Sequence, residues 1–146
     1  MSSSNRLLKD FGELKKGNDG SFVLYPFEKN INKWKGKLKG PSGTPYQEGF
    51  FDVVCEISNS YPLNPPEIKF VTKIFHPNIH PETGEICLDI LKNAWTPAWT
   101  LVYVFQAILV LLSNPEPNSP LNCDAGNLLR NKDYRGFSSL AYMYSI

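Results

Sequence analysis

The sequence has no excess of charge of either sign and no hydrophobic run long enough to cross a bilayer. Its 15 lysines and arginines face 14 aspartates and glutamates, so the net charge is +1. Such a balance gives no bulk electrostatic attraction to nucleic acid or to an anionic membrane. The longest apolar stretch, residues 101–112, is shorter than the roughly 20 residues that a spanning helix needs. We therefore expect neither a nucleic-acid partner nor direct membrane insertion.

Cysteine is also scarce, and the few that exist follow no metal-binding or disulfide pattern. Cys55, Cys87 and Cys123 are the three cysteines, an odd and widely spaced set that excludes a disulfide framework. No CxxC or Cys/His ligand spacing is present, so we expect no metal site. The N-terminus lacks the apolar run of a secretory signal. These observations predict a soluble cytoplasmic protein with reduced thiols.

What the sequence does contain is an ordinary globular composition, with 42% hydrophobic residues over 146 positions and 12 prolines. There is no linker, no internal repeat and no shift of composition. A chain of this length makes one domain with a substantial core. We therefore expect a single domain over residues 1–146.

The first half of the chain predicts one helix followed by four strands. Residues 6–16 carry apolar side chains on one helical face, and residues 17–20 are turn formers. Residues 22–25, 32–39, 50–57 and 67–71 show strand patterns, with apolar and polar residues alternating most clearly in the middle two. Lysines at 33, 35, 37 and 39 share one face, which we expect to be solvated. Short connections between the strands favour an antiparallel meander.

The second half predicts helices after a long irregular segment. Thr100 is a candidate N-cap for a nearly all-apolar, central buried helix over residues 101–113, and weaker helices follow over 123–130 and 132–144. The fold class is therefore α+β. Residues 73–99 show no clear periodicity but hold Cys87 and both histidines. Long irregular segments in compact domains are usually functional.

From its position alone, Cys87 could be either a functional thiol or a buried structural cysteine, since both readings are common. Five motifs surround it in order: GPSGTPYQEGFF at 40–51, YPLNPPEIKF at 61–70, HPN at 76–78, GEICLDIL at 84–91 and WTPAW at 95–99. Together they resemble the ubiquitin-conjugating enzyme family over residues 5–140. The family fold (UBC fold) has an N-terminal helix, a four-stranded antiparallel meander and C-terminal helices, which agrees with the pattern above.

The resemblance implies an acyl-transfer enzyme. Cys87 would accept ubiquitin from the activating enzyme as a thioester, and a RING-type ubiquitin ligase would direct its transfer to a protein substrate, on lysine or in some members on cysteine. No cofactor is implied, because ATP is consumed by the activating enzyme. Two alternatives stay open: a conjugating enzyme for another ubiquitin-like modifier, or a non-catalytic ubiquitin-binding variant, although such variants typically lack the cysteine. An unrelated cysteine hydrolase would need a histidine and an Asn or Asp placed around Cys87.

Other residues around Cys87 match family positions. The resemblance implies that Asn78 stabilises the oxyanion or orders the loop, that Asp89 orients or desolvates the attacking amine, and that Ser119 occupies a gate position. It implies structural roles for His76 and Pro77.

The sequence departs from common members of the family by one extra residue between Asn78 and Cys87. We expect this insertion at a loop tip, with His80 exposed on it. The insertion leaves open how Asn78 faces Cys87.

The resemblance also implies a docking surface for the ligase and the activating enzyme, formed by the first helix and two loops. The matching positions are Arg6, Lys9, Leu63, Thr96, Pro97 and Ala98. The segments KIFHPN at 73–78, PEPNSPLN at 115–122 and NCDAGNLLR at 122–130 resemble the peroxisomal-type conjugating enzymes. That subgroup implies recruitment by a membrane-anchored peroxin to the cytosolic face of the peroxisomal membrane.

Overall fold

The computed structural model describes residues 3–16, 20–27 and 30–146. Along the chain, helix α1 (Ser3–Lys16) precedes four strands, β1 (Phe22–Phe27), β2 (Asn30–Lys39), β3 (Phe50–Glu56) and β4 (Glu67–Phe70). A short 3-10 helix (Asp89–Leu91) and three helices follow, α2 (Leu101–Ser113), α3 (Cys123–Arg130) and α4 (Tyr134–Ser145). The predicted α+β order is confirmed. Most of the turn predicted at residues 17–20 lies outside the described residues.

The strands form one antiparallel sheet in the order β1-β2-β3-β4, as the short connections predicted. Trp34 pairs with Cys55 and Leu38 with Phe51, and all four side chains are buried. Because side chains alternate along a strand, this register places the apolar set of both central strands on the same face. Pro26 lies in β1, an edge strand, where its missing N–H costs no ladder hydrogen bond.

On the opposite face, the two central strands carry charged side chains, as the alternating lysines predicted, while the edge strand β1 exposes Val23 and Tyr25. Lys33 lies 4.0 Å from Glu56 and Lys37 lies 3.9 Å from Asp52, across the β2–β3 pair. These side chains are largely exposed, so each pair adds little to the free energy of folding.

Helices α1 and α2 cover the apolar face of the sheet. Phe11 of α1 packs on Trp34 of β2 with ring centroids 4.8 Å apart, and Phe22 of β1 stacks on Phe105 of α2 at 5.4 Å. Thr100 caps α2 by accepting a hydrogen bond from the Tyr103 N–H. The core therefore lies between the sheet and these two helices.

Two predictions about the helices need correction. Helix α2 is not buried all round, since Tyr103 and Val110 on its outer side are exposed. Helix α4 begins at Tyr134 rather than at residue 132, because Lys132 has a φ of +60° and Asp133 caps the helix by accepting from the Gly136 N–H. Within the described part of the chain, no helix has the length and apolarity that a bilayer span requires.

Candidate active site

The HPN segment is a buried structural junction. The His76 Nε2–H donates to the Leu111 carbonyl at 2.9 Å, and His76 Nδ1 accepts from the Asn78 N–H at 3.0 Å. Burial lowers the pKa of His76 to about 4, although the bond to Leu111 opposes the shift. The Pro77 carbonyl accepts from the N–H groups of Leu121 and Asn122. His76 is therefore neutral near pH 7, with both ring nitrogens occupied.

The side chain of Asn78 holds the loop between α2 and α3. Its Nδ2 donates to the Glu116 carbonyl at 2.8 Å, and its Oδ1 accepts from the Glu116 N–H at 2.8 Å. Asn78 is only 1% exposed. The donor and the acceptor of the Asn78 side chain are thus both bonded to the main chain of Glu116. These two bonds fix the loop that carries the exposed Ser119.

The backbone of Asn78 also fixes Cys87. The Cys87 N–H donates to the Asn78 carbonyl at 2.8 Å, and Ile79 and Ile86 form an antiparallel bridge. Residues 79–86 therefore make a small hairpin that returns the chain from Asn78 to Cys87. Asn78 faces Cys87 through its main chain, while its side chain binds Glu116.

Hydrogen bonds fix the tip of this hairpin, where the extra residue is expected. His80 Nδ1 accepts from the N–H groups of Glu82 and Thr83, at 3.0 and 3.1 Å. Gly84 has a φ of +75°, and a Cβ there would overlap the Phe70 carbonyl. Contrary to expectation, His80 is half-buried rather than exposed, because its ring caps the turn.

Cys87 is a free, half-buried thiol at the end of this hairpin. The chain continues into the 3-10 helix, where Asp89 is exposed and its carbonyl accepts from the N–H groups of Lys92 and Ala94 at 2.9 Å. Lys92 Nζ pairs with Glu85 Oε1 at 2.8 Å, which raises the pKa of the Lys92 ammonium and lowers that of the Glu85 carboxyl. The chain on both sides of the thiol is therefore held in place, by main-chain hydrogen bonds and by the Lys92–Glu85 ion pair.

Neither histidine offers a nucleophile-activating base in this arrangement. In both His76 and His80 the Nδ1 lone pair, the basic site of the neutral ring, already accepts a backbone N–H. A cysteine hydrolase needs a base within hydrogen-bonding reach of its thiol, so this reading loses support. In the described ranges, no three His, Cys, Asp or Glu side chains cluster as a metal site would require.

The other two cysteines differ from Cys87 in exposure. Cys55 is fully buried in the core, and burial raises its pKa to about 12, with Glu56 adding to the shift. Cys123 is exposed at the start of α3.

The residues matched to a docking surface lie on α1 and two loops. Leu63 is 75% exposed, and Lys9, Thr96, Pro97 and Ala98 are also exposed. Arg6 is different, since its side chain is only 13% exposed and points inward.

Sequence reasoning missed two members of this region. Leu8 is 71% exposed beside Lys9, and Asp10 is completely buried beside Arg6. The spacing of four residues between Arg6 and Asp10 is a helical ion-pair signal that could have indicated Asp10. Leu7 is followed by Phe11 and Leu14 at helical spacing, whereas Leu8 is followed by Gly12 and Lys15, so the periodicity of α1 could have indicated that Leu7 rather than Leu8 is buried.

Comparison with known proteins agrees with this geometry. The family model described as ubiquitin-conjugating enzyme matches residues 6–144. The chain is 53% identical to Protein PEROXIN-4 of Arabidopsis thaliana, covering 99% of the chain and 94% of that protein. It is 52% identical to ubiquitin-conjugating enzyme E2 pex4 of Dictyostelium discoideum, covering 96% and 95%.

Solved structures show the same fold. The ubiquitin conjugating enzyme Pex4p of H. polymorpha, crystallised in complex with the soluble domain of Pex22p, superposes with a TM-score of 0.93 at 36% identity, over 99% of the chain and 97% of that structure. A putative ubiquitin conjugating enzyme from Plasmodium yoelii gives a TM-score of 0.92 at 39% identity, over 99% and 94%. The resemblance seen in the sequence, including its peroxisomal subgroup, is confirmed.

Proposed function

The chain belongs to the ubiquitin-conjugating enzyme family and is an E2 transferase of the Pex4 type, and from this premise we propose that Cys87 carries ubiquitin as a thioester. The observation that carries the proposal is the placement of Cys87. It is a free, half-buried thiol on a hairpin whose return strand is hydrogen-bonded to Asn78.

The proposed reaction has two acyl transfers. In the first, the Cys87 thiolate attacks the thioester carbonyl between ubiquitin and the activating enzyme; a new carbon–sulfur bond forms and the activating enzyme's thiolate leaves. In the second, a neutral amine of the substrate attacks the new thioester, the Cys87 thiolate leaves and the amine nitrogen loses a proton. Each step replaces one acyl bond by another, so no oxidant or reductant is needed.

The neighbouring residues receive supporting roles in this proposal. Asn78 orders the loop from residue 114 to 120 through Glu116, and an oxyanion role would require it to release one of those hydrogen bonds. Asp89 is exposed two residues after Cys87, where a carboxylate can orient an incoming amine and accept its proton. Ser119 stands at the rim of the same loop as an uncharged gate residue.

The proposed partners bind away from the thiol. The activating enzyme and a RING-type ligase would meet α1 at Lys9, the loop at Leu63, and the loop at Thr96, Pro97 and Ala98, all of which are exposed. Leu63 directly follows Pro62 and is 75% exposed, although leucine is a smaller anchor than the aromatic residues that dominate binding hot spots. The protein substrate would approach Cys87 itself. We propose no bound cofactor, since the activating enzyme supplies the ATP-driven step.

A membrane-anchored peroxin is proposed as a further partner. The H. polymorpha relative was solved with the soluble domain of Pex22p, and this chain shares that relative's fold over nearly its whole length. Recruitment of this kind would bring a cytoplasmic enzyme to the cytosolic face of the peroxisomal membrane.

A charging assay tests the proposal. The protein is incubated with ubiquitin, ATP and the ubiquitin-activating enzyme, and the products are run on a gel with and without thiol reductant. We expect a reductant-sensitive band heavier by one ubiquitin, absent in Cys87→Ala and retained in Cys55→Ala and Cys123→Ala. The exposed Cys123 is the sharper control, because it shows that an accessible thiol alone is not enough.

The same assay separates the alternatives. A thioester that persists in Cys87→Ala would overturn the site assignment. Charging with another ubiquitin-like modifier and its own activating enzyme, but not with ubiquitin, would identify a different modifier. A folded protein that is charged by none of them would be a binding-only variant.

A further inference from the structure

We infer that Asp10, the buried carboxylate of α1, is a positioning residue that holds two predicted docking loops in place against the helix. The first docking loop is residues 60–66, which carries Leu63, and the second is residues 95–99. The inference rests on the proposed function, because it concerns the surface through which the enzyme would meet the activating enzyme and its ligase.

Asp10 links α1 to the first docking loop. The Tyr61 hydroxyl donates to Asp10 Oδ2, and Asp10 is 0% exposed. Burial, together with the hydrogen bond to Asp10, raises the pKa of Tyr61 far above its ordinary value, so the phenol stays protonated and remains the donor. Tyr61 stands two residues before Leu63, and the Leu63 N–H donates to the Ser60 carbonyl at 2.7 Å. The position of Tyr61 therefore sets where Leu63 emerges.

Arg6 links the same carboxylate to the second docking loop. Arg6 Nε donates to Asp10 Oδ1 at 3.2 Å, while Nη1 donates to the Pro97 carbonyl and Nη2 to the Trp99 carbonyl, both at 2.6 Å. The guanidinium also lies 5.6 Å from the centre of the Tyr61 ring. Because a guanidinium is a rigid planar fork, fixing its Nε edge on Asp10 fixes the direction of its other two donors.

The two loops are also joined to each other. Trp95 Nε1 donates to the Pro62 carbonyl at 3.0 Å, and the Trp95 and Tyr61 rings lie 6.1 Å apart. The Asp10 cluster thus anchors a connected pair of loops to α1. Without the carboxylate, the Arg6 charge is left without its buried counter-ion, which is strongly unfavourable, and the guanidinium loses its fixed orientation.

This arrangement assigns Arg6 a role inside the protein. The resemblance placed Arg6 among the residues that touch partners, but its donors are used by Asp10, Pro97 and Trp99. The direct contacts then fall to Lys9, Leu63 and the outer residues of the second loop. Arg6 and Asp10 act through them by presetting their spacing, which lowers the cost of ordering the surface on binding.

Two conservative variants test the inference. Asp10→Asn keeps the size of the side chain but removes its charge, and Tyr61→Phe removes only the hydroxyl. Charging by the activating enzyme is measured against the concentration of the conjugating enzyme. We expect the KM to rise about tenfold in each variant, the usual effect of losing one charge-assisted hydrogen bond. We expect kcat to stay within about twofold, because Cys87 and its supports are unchanged.

Amide hydrogen exchange provides a readout that does not depend on activity. In both variants the amides of residues 60–66 and 95–99 should exchange faster by about tenfold, while those of the β2–β3 ladder keep their wild-type rates. Tyr46→Phe is the matched control, since the Tyr46 hydroxyl is a buried donor, 2.6 Å from the Phe75 carbonyl, outside both loops. It should leave the KM and the exchange of both loops unchanged.

The outcomes distinguish loop positioning by Asp10 from the docking of partners. Unchanged exchange in both loops, or an equal rise of KM in Tyr46→Phe, would overturn the positioning role. Faster loop exchange with an unchanged KM would overturn the link to partner docking. If the wild type is not charged at all, the proposed function fails, and the exchange measurement still decides whether Asp10 positions the loops.

Discussion

Replacing Asn78 with alanine removes two hydrogen bonds that a single amide makes to the backbone of Glu116, each 2.8 Å long. A typical intramolecular hydrogen bond contributes about 1 kcal/mol net, and a buried group left without a partner costs about 1–3 kcal/mol. Asn78 is 1% exposed, so water does not readily replace the lost amide. We expect Asn78→Ala to lower the free energy of unfolding by about 2–4 kcal/mol.

Urea unfolding at pH 7 measures this loss, with Asn64→Ala as the control. Asn64 is exposed, and its replacement should change the free energy of unfolding by less than about 0.5 kcal/mol. The loss in Asn78→Ala is a large part of the roughly 5–15 kcal/mol available to a domain. The variant should still fold, with residues 114–120 exchanging their amides faster.

Kinetics of the same variant distinguish loop ordering from oxyanion stabilisation. If Asn78 acts only through the loop, charging and discharge to free lysine should slow to the same extent. If its Nδ2 also reaches the reacting carbonyl, discharge should fall further, by about 10²–10³ as for other oxyanion donors. A stability loss below about 0.5 kcal/mol together with a large fall in discharge would refute the structural role of Asn78. The hydrogen bonds to Glu116 would then contribute little to the free energy of unfolding.

Three further predictions concern His76, the hairpin glycine and the exposed leucine. Because the folded pKa of His76 is about 4 against 6.5 when exposed, the unfolded chain binds more protons between these values. The contribution of neutral His76 to the free energy of unfolding is therefore present above pH 6.5 and is lost as the pH falls towards 4. Urea unfolding should show about 2 kcal/mol less stability at pH 5 than at pH 7. Equal stability at the two pH values would contradict a neutral, buried His76 ring. In thermal unfolding, Gly84→Ala should lower the Tm by more than Gly43→Ala. Both glycines have a positive φ, but only at Gly84 would the added Cβ overlap a carbonyl group. Similar Tm losses in the two variants would rule out that clash. Leu63→Ala should change the free energy of unfolding by less than about 0.5 kcal/mol while raising the KM for charging, and a fall in stability instead would mean that Leu63 packs rather than docks.

The local patterns of this protein could be predicted from the sequence because they depend on neighbours in the chain. The alternation in residues 50–57 placed Phe51, Val53 and Cys55 on one face, and the structure buries all three. Periodicity predicted the type of each helix and strand, but not every end. Helix α4 begins after Lys132 because that residue adopts a φ of +60°, which the helical pattern does not reveal. The motifs around Cys87 indicated this residue as the candidate nucleophile through their resemblance to a known family.

The roles of the supporting side chains were decided only by the tertiary structure. Asn78 meets Glu116, His76 meets Leu111 and Arg6 meets Pro97 across separations of 38, 35 and 91 residues. Periodicity describes which face a residue takes on its own element, but not which distant backbone group that face will meet. Asp10 shows the difference most clearly: its sequence position predicts an ordinary surface ion pair with Arg6, and only the packing of Tyr61 onto α1 buries it. The fold and the candidate nucleophile are thus indicated by local sequence, while the supports of the site depend on contacts that exist only once the chain has folded.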